Sequence, residues 1–247
     1  MNVAKNQRRL LGIGAGALAV LFILAVPSFL LTSNLRLAFN GLWLYSYGFE
    51  RYEISQATGI PDPELRRVAA ELIDYWSSDA EFIETTVSGR DLYNQREVIH
   101  LRDVKGLVQG VFRIQETAAL FLLAYVIGGV ALARGTFRKA LARRLLLGGV
   151  LTLGALALTG IALALAFRWL FYLFHVISFD NDFWQLDPRT DYLVAMFPEG
   201  FWFIATMLAV GLTVVEAAML AVGGWLALRY LGRQGREQGA GAPAPEG

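Results

Sequence analysis

Cysteine is absent from the 247 residues of this chain, which excludes disulfides, thiolate metal sites and a cysteine nucleophile. Charged residues are also scarce, at 17% of the chain, and the formal net charge is only +1. Such a balance is not typical of a nucleic-acid-binding protein or of a protein with an acid-rich tail. Histidine occurs only twice, so imidazole chemistry is restricted to His100 and His175.

Apolar residues are abundant instead. They make up 55% of the chain, and the mean hydropathy is +0.46. They are concentrated in runs that reach the roughly 20 residues needed to cross a bilayer. The sequence therefore predicts an integral membrane protein. Four runs qualify as transmembrane helices, at residues 10–31, 111–133, 145–174 and 200–228.

Basic residues lie on one side of the predicted membrane. Three precede the first helix, five lie in the loop 134–144 and three follow the last helix, whereas the loop 175–199 holds five acidic residues and one arginine. The positive-inside rule places both termini in the cytoplasm and the loop 175–199 outside. The first helix exceeds the roughly 7–15 apolar residues of a signal peptide, so we expect it to be retained. The composition of residues 229–247 predicts a disordered cytoplasmic tail.

The long segment 32–110 lies outside the membrane by the same rule. It begins with an aromatic cluster at 43–52, whose alternating part favours a strand and whose composition suits the aromatic belt of a membrane interface. The alternation at 81–87 predicts a second strand, and residues 88–90 supply its turn. The fold we expect is mainly α, with four transmembrane helices and a small mixed α/β extracytoplasmic cap domain between the first two.

A helix is predicted in the middle of this cap. Asp62 is expected as its N-cap, Pro63 as its first residue and Glu64 as an acid in its first turn. The helix continues to about Ser77. Its apolar residues keep helical spacing and form one face, made of Leu65, Val68, Ala69, Leu72, Ile73 and Trp76.

The cap ends in a stretch around His100. Asn94 and Glu97 have the spacing of a capping box, so a helix is predicted to begin there, with His100 in its first or second turn. Asp103 lies three residues beyond His100 and therefore beside it on the helix. A carboxylate in reach can fix the imidazole tautomer and raise its basicity. The alternative is a solvated helix face on which a histidine and an aspartate are incidental neighbours.

The second histidine, His175, follows the third predicted helix, on the same outward side as His100. Two histidines together could act as general base and general acid, or as half of a metal site completed by Asp180 and Asp182. The metal site is the weaker alternative, because no HxxxH or HExxH spacing places two imidazoles on one face. In addition, Asp-Asn-Asp is a common turn sequence.

Arg168 lies two helical turns before His175, on the same face. Near the membrane edge it could bind a lipid head group or stabilise an oxyanion. An ion pair with Glu116 at matching depth is the structural alternative.

Four blocks carry a family resemblance. They read REVIHLRDVK at 96–105, FHVISFDNDFWQLDP at 174–188, DYL at 191–193 and FPEGFW at 197–202. In this order, with the right spans between them, they resemble the bacterial lipoprotein intramolecular transacylase family. The resemblance covers nearly the whole chain through its layout of four spans and an outward cap.

The resemblance implies an enzyme of the bacterial cytoplasmic membrane. It would move the sn-2 acyl chain of a diacylglyceryl lipoprotein to the α-amino group of the N-terminal cysteine of that lipoprotein, leaving a lyso-form lipoprotein. The implied partners are a diacylated lipoprotein substrate and membrane lipid, with no nucleic acid, cofactor or metal. Ester aminolysis needs a neutral amine, a stabilised oxyanion and a proton for the departing alkoxide.

Two histidines can handle both protons without a serine or cysteine nucleophile. We assign His100, oriented by Asp103, as the general base and His175 as the general acid, and these two roles are exchangeable. Arg168 or Asn181 is the expected oxyanion partner. Substrate binding is assigned to Arg168, Tyr172, Asp180 and Asn181.

A non-catalytic protein that binds lipid or lipoprotein is the alternative function. The aromatic cluster and cap would then serve recognition, and the histidines would only be hydrogen-bonded at the interface. A transporter is less favoured, because the chain has no internal repeat and no pair of Gly/Pro-broken spans in matching halves.

Overall fold

Helices dominate the structure, a computed structural model that describes the backbone of residues 2–240 and the side chains of residues 12–132 and 135–234. The elements in chain order are α1 (Asn2–Asn40), α2 (Leu42–Arg51), α3 (Ile54–Thr58), α4 (Asp62–Ser77), β1 (Thr86–Val87), β2 (Arg90–Asp91), α5 (Gln95–Ser178), α6 (Tyr192–Met196) and α7 (Glu199–Ala240).

Within the described residues, four helical stretches are long and apolar enough to cross a membrane. They are Gly12–Asn40, Gln95–Leu132, Gly135–Ser178 and Glu199–Gln234. The prediction of a mainly α, multi-pass integral membrane protein with four apolar helices is therefore confirmed. Many large side chains on these helices are exposed, as expected for surfaces in contact with lipid.

Two of the four stretches belong to α5, which has 84 residues. The ring centroids of Tyr125 and Phe137 lie 5.8 Å apart. A straight helix would separate these residues by about 18 Å, so α5 folds back on itself between them. Residues 135–144, predicted as part of a basic loop, belong to this helix.

The chain divides into two compact units. The first contains the residues up to Leu31, the segment Gln115–Ala157 and the residues from Thr213 onwards. Phe22, Val26, Leu30 and Ala217 form its buried core.

Glycines allow very close helix contacts inside the first unit. A Cβ atom at Gly149 would lie 2.6 Å from the carbonyl oxygen of Ala217, and one at Gly224 would lie 2.7 Å from that of Ala142. Small residues at such contacts are typical of membrane helices, which pack without a hydrophobic driving force between them.

The second unit contains Thr32–Ile114 and Leu158–Leu212 and holds a larger core. The apolar face predicted for the cap helix is packed into this core, with only Ile73 partly exposed. The prediction of α4 is confirmed, although Pro61 occupies the N-cap and Asp62 is the first helical residue. A difference of one residue is the usual uncertainty of a helix end.

The strand predicted in the aromatic cluster is wrong. Residues 42–51 form the helix α2, with Leu44, Tyr45, Gly48 and Phe49 on its buried face. The same residues satisfy helical spacing, and burial of that face against the core decides between the two periodicities.

The second predicted strand is shorter than expected. Only Thr86–Val87 is extended, and it pairs antiparallel with Arg90–Asp91. The predicted turn is confirmed, since Ser88 and Gly89 both have positive φ, at 52° and 74°. This conformation matches the twist of a tight hairpin. The region between the first two spans is therefore helical with one small hairpin, a less mixed cap than predicted.

The C-terminal segment differs from the prediction as well. Helix α7 continues to Ala240, so residues 229–240 are not disordered. Arg, Gln, Glu, Leu and Ala in this segment are good helix formers, which outweighs its glycines. Residues 241–247 of the predicted tail lie outside the described residues.

The close contact at Gly149 can be tested with an alanine substitution. We expect Gly149→Ala to destabilise the protein by about 1–3 kcal/mol, because its methyl group overlaps the backbone of α7. Gly154→Ala on the same helix is the control, since no atom lies within 4 Å of its Cβ position. The control should be neutral or up to about 1 kcal/mol more stable. Unfolding in detergent micelles measures both, and equal stabilities would contradict the packing.

Candidate active site

The helix that carries His100 begins with the predicted capping box. The Asn94 side-chain oxygen accepts hydrogen bonds from the backbone N–H groups of Arg96 and Glu97, at 2.9 and 3.2 Å. The Glu97 carboxylate in turn accepts the Asn94 N–H at 2.7 Å. The capping box is therefore confirmed.

Glu97 also connects this helix to the segment that follows the loop 179–191. Its other carboxylate oxygen accepts the backbone N–H of Leu193 at 2.6 Å, at the start of α6. Glu97 is only 1% exposed. A buried carboxylate with two backbone donors fixes both segments relative to each other, because loss of either bond would leave a polar group unsatisfied.

Further hydrogen bonds hold the loop 179–191 to the first turn of α5. The Asn94 amide donates to the Asp191 carboxylate at 2.8 Å, and the other oxygen of Asp191 accepts the N–H of Asp187 at 2.7 Å. Arg96 donates from one guanidinium nitrogen to two carbonyl oxygens, those of Asp182 and Gln185, each at 3.1 Å.

Asp187 also forms an ion pair with Arg189 inside this loop. The guanidinium of Arg189 donates hydrogen bonds to its carboxylate and lowers the pKa of Asp187 to about 2.

His100 and His175 meet although they lie near opposite ends of α5. Their ring centroids are 5.9 Å apart, with an angle of 30° between the ring planes. Both side chains are buried. The two rings are therefore close enough for one polar group of a substrate to approach both.

The tautomer of His175 follows from its surroundings. Its Nδ1 lies 2.6 Å from the carbonyl oxygen of Phe171, one turn earlier in α5. A carbonyl only accepts hydrogen bonds, so Nδ1 carries the proton of the neutral ring and donates it to Phe171. The lone pair of Nε2 is then available as a base.

The surroundings of His100 favour the other tautomer. Its Nδ1 is buried and has no hydrogen-bond partner among the described residues. A buried N–H without an acceptor is costlier than an unpaired lone pair, which favours the neutral ring with its proton on Nε2. His100 then offers a donor where His175 offers an acceptor.

Asp103 does not form the predicted hydrogen bond to His100 within the described residues. Its two carboxylate oxygens accept hydrogen bonds from Arg102 at 3.0 Å and from the amide of Asn181 at 2.8 Å. Asn181 also accepts the N–H of Phe183 at 3.0 Å. Asp103 therefore positions the loop 179–191, and it acts on His100 through the electric field of its charge.

Aromatic rings enclose His175. The rings of Phe171, Phe174 and Trp184 lie at centroid distances of 4.5, 5.3 and 5.2 Å. Phe179 contacts both histidines, at 5.0 Å from His100 and 5.6 Å from His175. This shell restricts water around the two imidazoles, which strengthens electrostatic interactions between them and a bound substrate.

The other predicted binding residues lie further out. Tyr172 is exposed and packs against Trp184 at 5.6 Å, and Asp180 is exposed. The Arg168 side chain is 88% exposed and forms an ion pair with Glu199 at 3.3 Å. Glu199, rather than the Glu116 considered above, is thus the carboxylate that the structure places beside Arg168.

Comparison with known proteins identifies the family. The family described as "Lipoprotein intramolecular transacylase Lit" matches residues 20–202. This chain belongs to that family. It is accordingly a membrane transacylase of lipoproteins.

Solved structures with the same fold support this assignment. The structure of Lit from Bacillus cereus has a TM-score of 0.75 and 22% identity, covering 92% of this chain and 99% of that one. A variant of the same protein with a histidine replaced by arginine has a TM-score of 0.72 and 21% identity, covering 95% and 99%. A histidine-to-alanine variant has a TM-score of 0.71 and 22% identity, covering 94% and 99%. No curated protein matches the chain.

Some features of this transacylase were missed in the sequence. The bonds of Glu97 to Leu193 and of Asn94 to Asp191 join positions almost a hundred residues apart, for which local spacing gives no signal. Phe179 and Asp191 lie inside the blocks that carry the family resemblance, so those blocks contained the only available signal.

The double role of Glu97 can be tested by Glu97→Gln. The amide keeps the shape of the side chain but can accept at only one end, so one buried N–H faces another donor. We expect a loss of about 1–3 kcal/mol in the free energy of unfolding. Glu84→Gln at an exposed position is the control and should stay within about 0.5 kcal/mol of the unmodified protein. Unchanged stability of Glu97→Gln in detergent would contradict this role.

Proposed function

We propose that this chain transfers the sn-2 acyl chain of a diacylglyceryl lipoprotein to the α-amino group of its N-terminal cysteine. The product is a lyso-form lipoprotein. The observation that carries the proposal is the buried pair of His100 and His175, with ring centroids 5.9 Å apart, in a chain of the transacylase family. Nothing in the reaction requires a covalent acyl-enzyme.

His175 is proposed as the general base, the role that the sequence assigned to His100. Nε2 of His175 accepts a proton from the amine as its nitrogen attacks the ester carbonyl carbon, because Nδ1 is bonded to Phe171. When the carbon–oxygen bond to the glyceryl group breaks, the imidazolium of His175 gives this proton to the leaving oxygen. The N–H group at Nε2 of His100 donates a hydrogen bond to the same oxygen and stabilises the charge that develops there. One proton moves from nitrogen to oxygen in total.

Proximity supplies much of the rate enhancement in this proposal. Donor ester and acceptor amine belong to one lipid anchor, so binding that anchor makes the attack intramolecular. The side-chain amide of Asn181 has two N–H groups. One donates a hydrogen bond to Asp103, and the other is proposed to donate to the oxyanion. Asp103 then acts as a positioning residue.

Arg168, Tyr172 and Asp180 are proposed as contacts for the polar part of the substrate at the membrane surface. Their exposure suits a surface role better than contact with the reacting atoms. By the positive-inside rule we place both termini in the cytoplasm and the histidine pair on the extracytoplasmic face.

The histidine roles are tested with His100→Ala and His175→Ala. We expect each variant to lose about 10²–10⁴-fold in activity, the usual contribution of a general acid or base. The purified proteins are supplied with a diacylated lipopeptide, and mass spectrometry maps the acyl position. Glu84→Gln should keep full activity. Full activity of both histidine variants would overturn the assignment, and stoichiometric binding without turnover by the unmodified protein would favour the lipid-binding alternative.

The metal alternative is tested with a chelator. Among the described residues, no group of three or more potential His or acidic ligands is close enough to hold a metal ion. We expect EDTA treatment, followed by assay with the same lipopeptide, to leave turnover unchanged. Loss of activity that is restored by adding a divalent metal would contradict acid–base catalysis by histidines alone.

A further inference from the structure

Helix α2 connects the outer ends of two membrane helices. A single residue, Gly41, separates it from α1. A Cβ atom there would lie 2.8 Å from both the Leu37 carbonyl oxygen and the Trp43 indole nitrogen, so this sharp turn requires glycine. The Tyr45 hydroxyl donates to the carbonyl oxygen of Phe39, which fixes the first part of α2 to the end of α1.

The other end of α2 is fixed to the start of α7. Phe49 packs against Phe197 at 5.7 Å, and Tyr52, just beyond α2, packs against Gly200. The spans of α1 and α7 end and begin at Asn40 and Glu199. Two membrane spans lie between Asn40 and Glu199 along the chain. After two crossings the chain returns to the face that it left, so both positions lie at the same membrane face. A helix of 10 residues, about 15 Å long, that joins them runs along that face.

The two sides of α2 differ in their environment. One side is buried in the core of the second unit. The other side exposes Leu42, Trp43 and Tyr47, with 39, 53 and 49% of their surface accessible. Trp43 and Tyr47 are four residues apart and therefore share one stripe of the helix. Leu37, in the last turn of α1, is also exposed, at 47%.

We infer that α2 is an interfacial helix, and that Leu42, Trp43 and Tyr47 insert into the lipid surface of the outer leaflet. Three observations identify lipid as the partner. The stripe begins just after a membrane span whose last turn exposes Leu37, the helix runs at the level of two span ends, and tryptophan and tyrosine are the side chains that favour the membrane interface. The inference holds whether or not the chain has the proposed transacylase activity. Insertion of these side chains would hold the cap at a fixed height above the membrane.

The lack of cysteine makes this inference directly testable. Single cysteines are introduced as Leu42→Cys, Trp43→Cys and Tyr47→Cys in the full chain and coupled to a nitroxide. The proteins are reconstituted in phosphatidylglycerol–phosphatidylcholine vesicles. Collision rates with oxygen, which partitions into lipid, and with a water-soluble nickel chelate report the environment. Leu165→Cys, 83% exposed on a span, is the lipid reference, and Glu84→Cys is the aqueous reference.

We expect the ratio of oxygen to nickel collisions at positions 42, 43 and 47 to exceed the ratio at Glu84→Cys severalfold and to approach that at Leu165→Cys. Ratios equal to the aqueous reference would overturn the inference. Strong spin–spin broadening at the same positions would also overturn it, because a second copy of the chain would then cover the stripe. Trp43→Phe gives an independent readout, since it should reduce the fluorescence quenching caused by lipids brominated near the head group. An unchanged quenching ratio contradicts insertion even if a cysteine variant fails to fold.

Discussion

The carboxylate of Glu97 serves two segments of the chain at once, and the position of both histidines depends on this. One oxygen completes the cap of the helix that carries His100. The other accepts the backbone of Leu193, at the end of the loop that follows His175. Because both acceptor sites are buried, the carboxylate leaves little freedom for the loop to move relative to the helix.

The surrounding bonds act on the same junction. Asn94, Arg96 and Asp103 are all in the first turns of α5 or its cap, and each bonds to a different part of the loop 179–191. A single hydrogen bond contributes only about 1 kcal/mol to the free energy of unfolding. Removal of one partner of a buried hydrogen bond costs about 1–3 kcal/mol, because the other partner is left unsatisfied. The loop is therefore held cooperatively. Phe179 and Trp184 stay against the imidazoles for the same reason.

The two histidine side chains differ in their hydrogen-bonding surroundings. His175 is bonded to a carbonyl oxygen and presents a lone pair, whereas His100 has a nitrogen that lacks a partner in the described chain and presents an N–H group. The partner predicted from the sequence was a carboxylate, Asp103, beside His100. The partner in the structure is a backbone carbonyl, that of Phe171, beside His175, in a position that any helix provides one turn before a histidine.

The predictions that rested on local sequence patterns agree best with the structure. Hydropathy located the four apolar helices, and the residue types at 94 and 97 located the helix that carries His100. The predicted topology places both histidines on one side of the membrane. Their contact depends on hydrogen bonds between residues almost a hundred positions apart in the chain, which the sequence does not indicate. The aromatic cluster was misassigned because Tyr45 and Phe49 satisfy a helical period as well as Trp43, Tyr45 and Tyr47 satisfy an alternating one. Only burial distinguishes these patterns, and burial is a property of the folded chain.

The fold-back of α5 ties the histidine contact to the lengths of its two arms. Each histidine lies near the end of one arm of α5, so every residue between it and the reversal sets its height and its direction. One inserted residue in either arm would turn the corresponding imidazole by about 100° and displace it by about 1.5 Å along the axis. An insertion or deletion within either arm of α5 would therefore displace one imidazole relative to the other.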